Sequence, residues 1–323
     1  MNSRQRFLET MRFGRPDRVP YFEEGLRPDV LEAWKSQGLT SSADLAARFA
    51  HDEREEIELD VDPHPWPRRW PAGTAELKAF QACLDPYDPG RLPEDWSERV
   101  PRWQGHSHVL MLRVHRGFFL SLGVEDWRRF KQVVELTHDD PAFVRSLLKV
   151  QGEFAAALTE RALDGVQVDA AIFSEPIGGN SGALIGPRMY ADLVVPGYRP
   201  LMEVLRRHGV AVLILRTYAN ARALVPVLLQ AGFDCLWACE TNAEAMDYRS
   251  LRREFGRDLR LIGGIDLDVL RGDKEAIRRE LEEKVPPLLA QGGYVPLADG
   301  RVRPDIPLEN YIYYRELLEK ITT

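Results

Sequence analysis

The residues best placed for chemistry are those at which apolar, β-type runs stop. Arg216 follows Ala211 to Leu215, Glu240 follows Cys235 to Cys239, Asp266 follows Leu259 to Ile265, and Asp299 comes just after Tyr294 to Leu297. A guanidinium such as Arg216 presents a planar fork that holds a carboxylate or phosphate through two hydrogen bonds. Arg301 and Arg303, close behind Asp299, offer a second anion contact. Glu175, Glu240, Asp266 and Asp299 are expected to share one mouth, where crowded carboxylates raise one another's pKa until one can donate a proton near neutral pH. Tyr218 is a second candidate donor. Asn220 and Glu23 are candidate substrate contacts, and Asp169, earlier on the strand of Glu175, is the candidate placed deeper. Glu175 precedes Gly178-Gly179 and Gly182, which leave room for a ligand against the backbone. Plainer readings stay open for several: Asp266 and Asp299 as helix caps, Arg303 and Asp305 as a loop ion pair, Glu23 as a surface acid.

Helical stretches of ten to twenty residues separate these runs, and glycines such as Gly232, Gly256 and Gly292 close them. Strand and helix alternating at that spacing imply parallel strands joined by crossovers, with ligands at the strand carboxyl ends. Further strands are expected at Pro20 to Glu23, Val109 to Val114 and Gln167 to Phe173. Asp140-Pro141 predicts a capped helix running to Leu163, and Pro196 and Pro200 predict a break in the helix that starts at Gly186-Pro187. The expected architecture is one α/β domain over 1–323, a (β/α)8 TIM barrel with an N-terminal helical and loop elaboration. Roughly residues 60–105, crowded with prolines and tryptophans, form an inserted or lid-like excursion.

Composition sets the class. With 43 basic and 50 acidic residues and no basic stripe, the chain is not expected to bind nucleic acid. It has no apolar run near the roughly 20 residues of a membrane span and no signal-peptide pattern, so the expectation is a cytoplasmic protein without membrane contact. Three cysteines make no disulfide framework. Cys235 and Cys239 read as small core residues, and His106-Ser107-His108 as a stretch in a hairpin, more readily than either reads as a metal site.

Arg4-Gln5-Arg6-Phe7 leading to Pro16-Asp17-Arg18-Val19-Pro20, the block Leu261-Ile262-Gly263-Gly264-Ile265-Asp266, and Gly292-Gly293-Tyr294-Val295-Pro296 with Arg303-Pro304-Asp305 and Glu309-Asn310-Tyr311 resemble the uroporphyrinogen decarboxylase superfamily. That superfamily includes the decarboxylase itself and cobalamin-linked methyltransferases. The resemblance implies a barrel with a deep cleft at the strand carboxyl ends, and a homodimer. The departures matter as much. Where the decarboxylase has an arginine-rich segment for porphyrinogen carboxylates, this chain has Phe22-Glu23-Glu24-Gly25-Leu26, so uroporphyrinogen is not the expected substrate. Where the zinc methyltransferases have a His-x-Cys-Gly segment and a later Cys, it has Arg216-Thr217-Tyr218-Ala219-Asn220 and Ala298-Asp299-Gly300-Arg301. A guanidinium does not ligate zinc, so no metal is expected. The favoured expectation is zinc-independent methyl transfer or demethylation of an anionic small molecule. No cofactor is tightly bound, and a corrinoid arrives on a separate partner protein. The alternatives are decarboxylation of a small carboxylic acid and a non-catalytic ligand-binding barrel.

Overall fold

The computed structural model of the chain describes residues 1–239 and 246–323. Seven parallel strands run β1 (Arg54–Glu58), β2 (Val109–His115), β3 (Ala170–Ser174), β4 (Val212–Thr217), β5 (Cys235–Ala238), β6 (Arg260–Ile265) and β7 (Tyr294–Ala298), each hydrogen-bonded to the next in chain order. They form a curled half-barrel consistent with a TIM-like fold.

The curl follows from two-residue periodicity. Val109, Met111, Ala170, Ile172, Val212, Ile214, Trp237, Ile262 and Val295 pack together on one face. Their neighbours Leu110, Leu112, Ala171, Phe173, Leu213, Leu215, Leu236 and Leu261 pack into the helical layer on the other. Phe7 and Met11 of the helix Ser3–Met11, which Asn2 and Gln5 cap reciprocally, join the first cluster and close the inner face with apolar side chains.

Crossover helices pack on the outside. Asp140 caps Pro141–Leu163 by accepting from the Phe143 amide, as its position predicts. The helix after Gly186 is broken as expected, with a wide turn at Tyr190–Val194 before Val195–Arg207. These two long helices cross closely because glycines face each other. A Cβ on Gly152 would lie 1.8 Å from the Gly197 carbonyl oxygen. Among the described residues no helix is long and apolar enough to cross a membrane.

Two expectations are corrected, and one strand was not expected. Residues 20–23 join no ladder; Tyr21 and Asp52 exchange bonds instead, the Tyr21 amide donating to Asp52 Oδ2 and the Asp52 amide to the Tyr21 carbonyl. The first strand is Arg54–Glu58, in a stretch whose charge hid it. His106 and His108 lie in the loop before β2 rather than in a hairpin, bonded to Asp169 and Glu55.

Candidate functional site

Register decides which strand residues meet on the inner face. Arg54 and Glu56 of β1 stand opposite Val109 and Met111, so they share the inner face, and Arg113, two residues beyond Met111, follows them. Arg216 keeps the parity of Val212 and Ile214. The lower interior is therefore apolar and the upper interior charged. There, at the strand carboxyl ends, lies a cavity of about 630 Å³. Among the described residues, six arginines line it, Arg27, Arg54, Arg113, Arg216, Arg301 and Arg303, against two carboxylates, Glu24 and Glu56. Tyr218, Cys239 and Gly300, which follow β4, β5 and β7, complete the wall.

Its buried end is internally paired. The Arg216 side chain is 7% exposed and both its terminal nitrogens donate to Glu56, at 2.9 and 2.5 Å. Its guanidinium lies 3.8 Å from the centre of the Trp237 ring, and that of Arg54 lies 4.7 Å from the same ring. Arg54 also donates to Glu24 Oε1 at 3.3 Å and comes within 3.5 Å of Glu56. Burial alone would raise the Glu56 pKa, but Arg216, Arg54 and Arg113 more than offset it and hold it below the usual range. Glu56 therefore stays ionised. The outer arginines differ. Among the described residues, the ion pairs of Arg27, Arg113 and Arg303 are with Asp29, Glu58 and Asp268, whose side chains are more than half exposed, and such pairs are weak. Arg301 has no ion-pair partner among the described residues. Among the described residues, positive charge is thus uncompensated at the rim, where Tyr218 stands half-exposed with its hydroxyl pKa pushed up by burial.

Of the residues singled out in the sequence, the structure brings Arg216, Tyr218, Arg301 and Arg303 together. It does not bring the described acids among them to that wall. Ser174 is the register partner of Arg216, so Glu175, one residue on, turns away into the helical layer. There it is fully buried: Oε1 accepts from the Phe118 amide, and Oε2 from the hydroxyls of Tyr190 and Tyr198. Burial pushes its pKa up against these three donors. Asp169 lies before β3, at the opposite end of the sheet, bound to Arg4, His106 and the Leu110 amide. Asp266 caps the turn that follows it by accepting from the Asp268 amide, and Asn220 braces its own turn by accepting from the Arg222 amide. Asp299 is buried outside the cavity wall, its amide extending the β6 ladder to Ile265. Asp305 pairs with Arg271, not Arg303. Glu23 pairs with Arg315 in a separate cavity of about 390 Å³. Glu240 lies outside the described residues.

Sequence reading overlooked Arg27, Arg54, Glu56 and Arg113 as cavity residues. Two signals were present: a lone charge in the apolar run Val109 to Val114, and Arg54 and Glu56 alternating with Glu55 and the apolar Ile57.

A family model described as uroporphyrinogen decarboxylase (URO-D) matches residues 125–320. The chain belongs to this family. Two uroporphyrinogen decarboxylases of Legionella pneumophila are similar to it: that of strain Paris at 26% identity over 204 residues and that of strain Corby at 25% over 203, each alignment covering 60% of this chain and 53% of the relative. The chain thus matches about half the length of these curated relatives. The cavity straddles the edge of the URO-D match. Arg216, Tyr218, Arg301 and Arg303 lie inside it, whereas Glu24, Arg27, Arg54, Glu56 and Arg113 lie before residue 125. Among the described residues, no three His, Cys, Asp or Glu side chains gather as a metal-ligand set.

Proposed function

We propose that the chain is a URO-D-like barrel enzyme that decarboxylates a small acid bearing more than one anionic group, with residues 20–23 standing in the eighth position of the barrel. The uncompensated guanidinium charge at the cavity rim carries this reading. A carboxylate loses its charge as carbon dioxide leaves, so an arginine gripping that group would favour the ground state over the transition state. The rim arginines therefore anchor a second acidic group. As the C–C bond breaks, its electron pair stays on the substrate carbon, and Tyr218 supplies the proton and recovers one from solvent. Arg216, held by Glu56, shapes the site rather than clamping the acid. The reaction needs no zinc, and the guanidiniums that dominate the described wall cannot ligate one.

Methyl transfer with a separate corrinoid protein is the second reading. It is favoured by the exposure of Tyr218, which leaves the cavity mouth open to a partner-borne group. Incubating the purified chain with a panel of small di- and tricarboxylic acids tests the first reading. Carbon dioxide release is expected, lowered by on the order of 10² in Tyr218→Phe. Transfer of the methyl group of added methylcobalamin to a supplied thiol, without carbon dioxide release, would instead favour the second. Elemental analysis after dialysis is expected to find less than one zinc per chain; stoichiometric zinc would overturn zinc independence.

A further inference from the structure

The two carboxylates in the cavity are not equivalent. Glu56 has both oxygens on Arg216. Glu24 is held at one corner only: Oε1 accepts from Arg54 at 3.3 Å, while among the described residues Oε2 accepts from nothing. The Glu24 side chain is 17% exposed, and the residue lines the cavity, so its open oxygen is not sealed off from a ligand. Every other charged group that the described structure places on that wall, apart from Glu56, is a guanidinium, which only donates.

This combination selects by chemistry. A ligand made only of acceptors gains from Arg27, Arg113, Arg301 and Arg303 but is repelled wherever it approaches Glu24. A ligand that also carries an O–H or N–H can turn that cost into a charge-assisted hydrogen bond. The selection has the character of a site built to bond a hydroxyl or amine, which rejects the analogue lacking it because its own polar group is then left without a partner.

We infer that the cavity takes a hydroxy or amino acid, its anionic groups on the rim arginines and its hydroxyl or amine donating to Glu24 Oε2. This rests on the reading of the cavity as an anion site and narrows the substrate class within it. Arg54 is a positioning residue here: it fixes the Glu24 carboxylate through Oε1 and leaves Oε2 for the ligand.

Calorimetry on the full chain with three probes separates the two levels. Inorganic sulfate, which carries no O–H at neutral pH, tests the anion site alone. Malate and methylsuccinate have the same two carboxylates and differ by a hydroxyl in place of a methyl group. Malate is expected to bind at least about tenfold more tightly than methylsuccinate, since a hydrogen bond to a charged group typically contributes that much or more. Glu24→Leu is expected to bring the ratio near one while sulfate binds as well as before or better. Should Glu24→Leu fail to fold, Glu24→Gln, which keeps the size and removes the charge, is expected to reduce the ratio severalfold. Equal affinities for the two diacids, a ratio unchanged in the substituted chain, or sulfate binding with neither diacid would overturn the inference and leave the anion site standing. Binding of none of the three probes would overturn the anion site, and this inference with it.

Discussion

Glu175 and Arg216 leave adjacent strands at the same height, yet they sit in opposite kinds of surroundings. Glu175 turns outward into the helical layer, where a backbone amide and two tyrosine hydroxyls use its oxygens and no surface is exposed. Gly117 makes that closure possible: its φ of +85° suits glycine, and a Cβ there would come 2.7 Å from Glu175 Oε1. Arg216 turns inward, to a cavity in which guanidiniums outnumber carboxylates and the surplus lies at the solvent-facing rim. A charged strand end is therefore not in itself a mark of function. The useful distinction is whether the protein has already satisfied the group, because a satisfied group contributes to stability and an unsatisfied one awaits a ligand.

That contrast can be broken most forcefully at Glu175. Glu175→Leu removes the acceptor for three buried donors at once, and unfolding in urea is expected to show a loss of about 3 to 5 kcal/mol. Glu175→Gln, which keeps a carbonyl acceptor, is expected to lose less. A variant that keeps full stability but loses turnover would transfer Glu175 to the chemistry and undo the comparison.

The buried end of the cavity is intermediate, since Arg216 and Glu56 satisfy each other. Arg216→Met leaves Glu56 without its bidentate partner, and Glu56→Gln leaves Arg216 without its own; each is expected to cost about 3 kcal/mol. The double substitution is expected to cost less than the sum of the two, which a double-mutant cycle measures as coupling. Strict additivity would mean that the pair is not a unit, and would return Arg216 to the list of free anion contacts.

The saturated side should also show itself in acid. His115 is buried against Phe173 and Tyr198 and accepts the Gly117 amide on Nδ1, which only an imidazole unprotonated there can do. Burial lowers its pKa from 6.5 to about 4. The folded-state value lies below the unfolded one, so its contribution to stability is complete above about pH 6.5 and is lost as pH falls toward 4, by roughly 2 to 3 kcal/mol. His115→Asn keeps an acceptor for Gly117 and cannot titrate; its stability is expected to vary less with pH over that window. An unchanged acid slope would assign the loss to other groups.

The sequence made the repeating strands legible because their apolar runs are long and end at glycine or charge. β4 to β7 lie within a residue or two of their expected positions, and so does the helix capped by Asp140. β1 was not legible. Arg-Glu-Glu-Ile-Glu exposes no apolar alternation until Ile57, since its inner face is part of the charged cavity. The same cause hid Arg54 and Glu56 from the site. Facing was the harder problem for the acids: the last residue of a run and the one after it point to opposite faces, so an error of one residue in the strand end exchanges a cavity residue for a buried one. Glu175 shows this, because Ser174 and not Glu175 shares the face of Arg216. Long side chains from distant segments, such as Arg27, carry no local pattern at all.

The rim offers the smallest effect on stability and the sharpest on binding. Arg301 is exposed, without an ion-pair partner among the described residues, and Arg303 meets Asp268 only at 3.4 Å across an exposed surface. Neither contact holds the fold, so Arg301→Ala and Arg303→Ala are each expected to change stability by less than about 0.5 kcal/mol. Each also removes one of the charges that make the cavity positive. Phosphate affinity is expected to fall by roughly tenfold for each, and more steeply at low ionic strength, where surface charge is least screened. Comparing calorimetric binding at two salt concentrations with urea unfolding of the same proteins separates the two roles. If the arginine variants lose stability in proportion to affinity, the rim is part of the scaffold after all; if affinity falls and stability holds, the unsatisfied charge is the binding determinant.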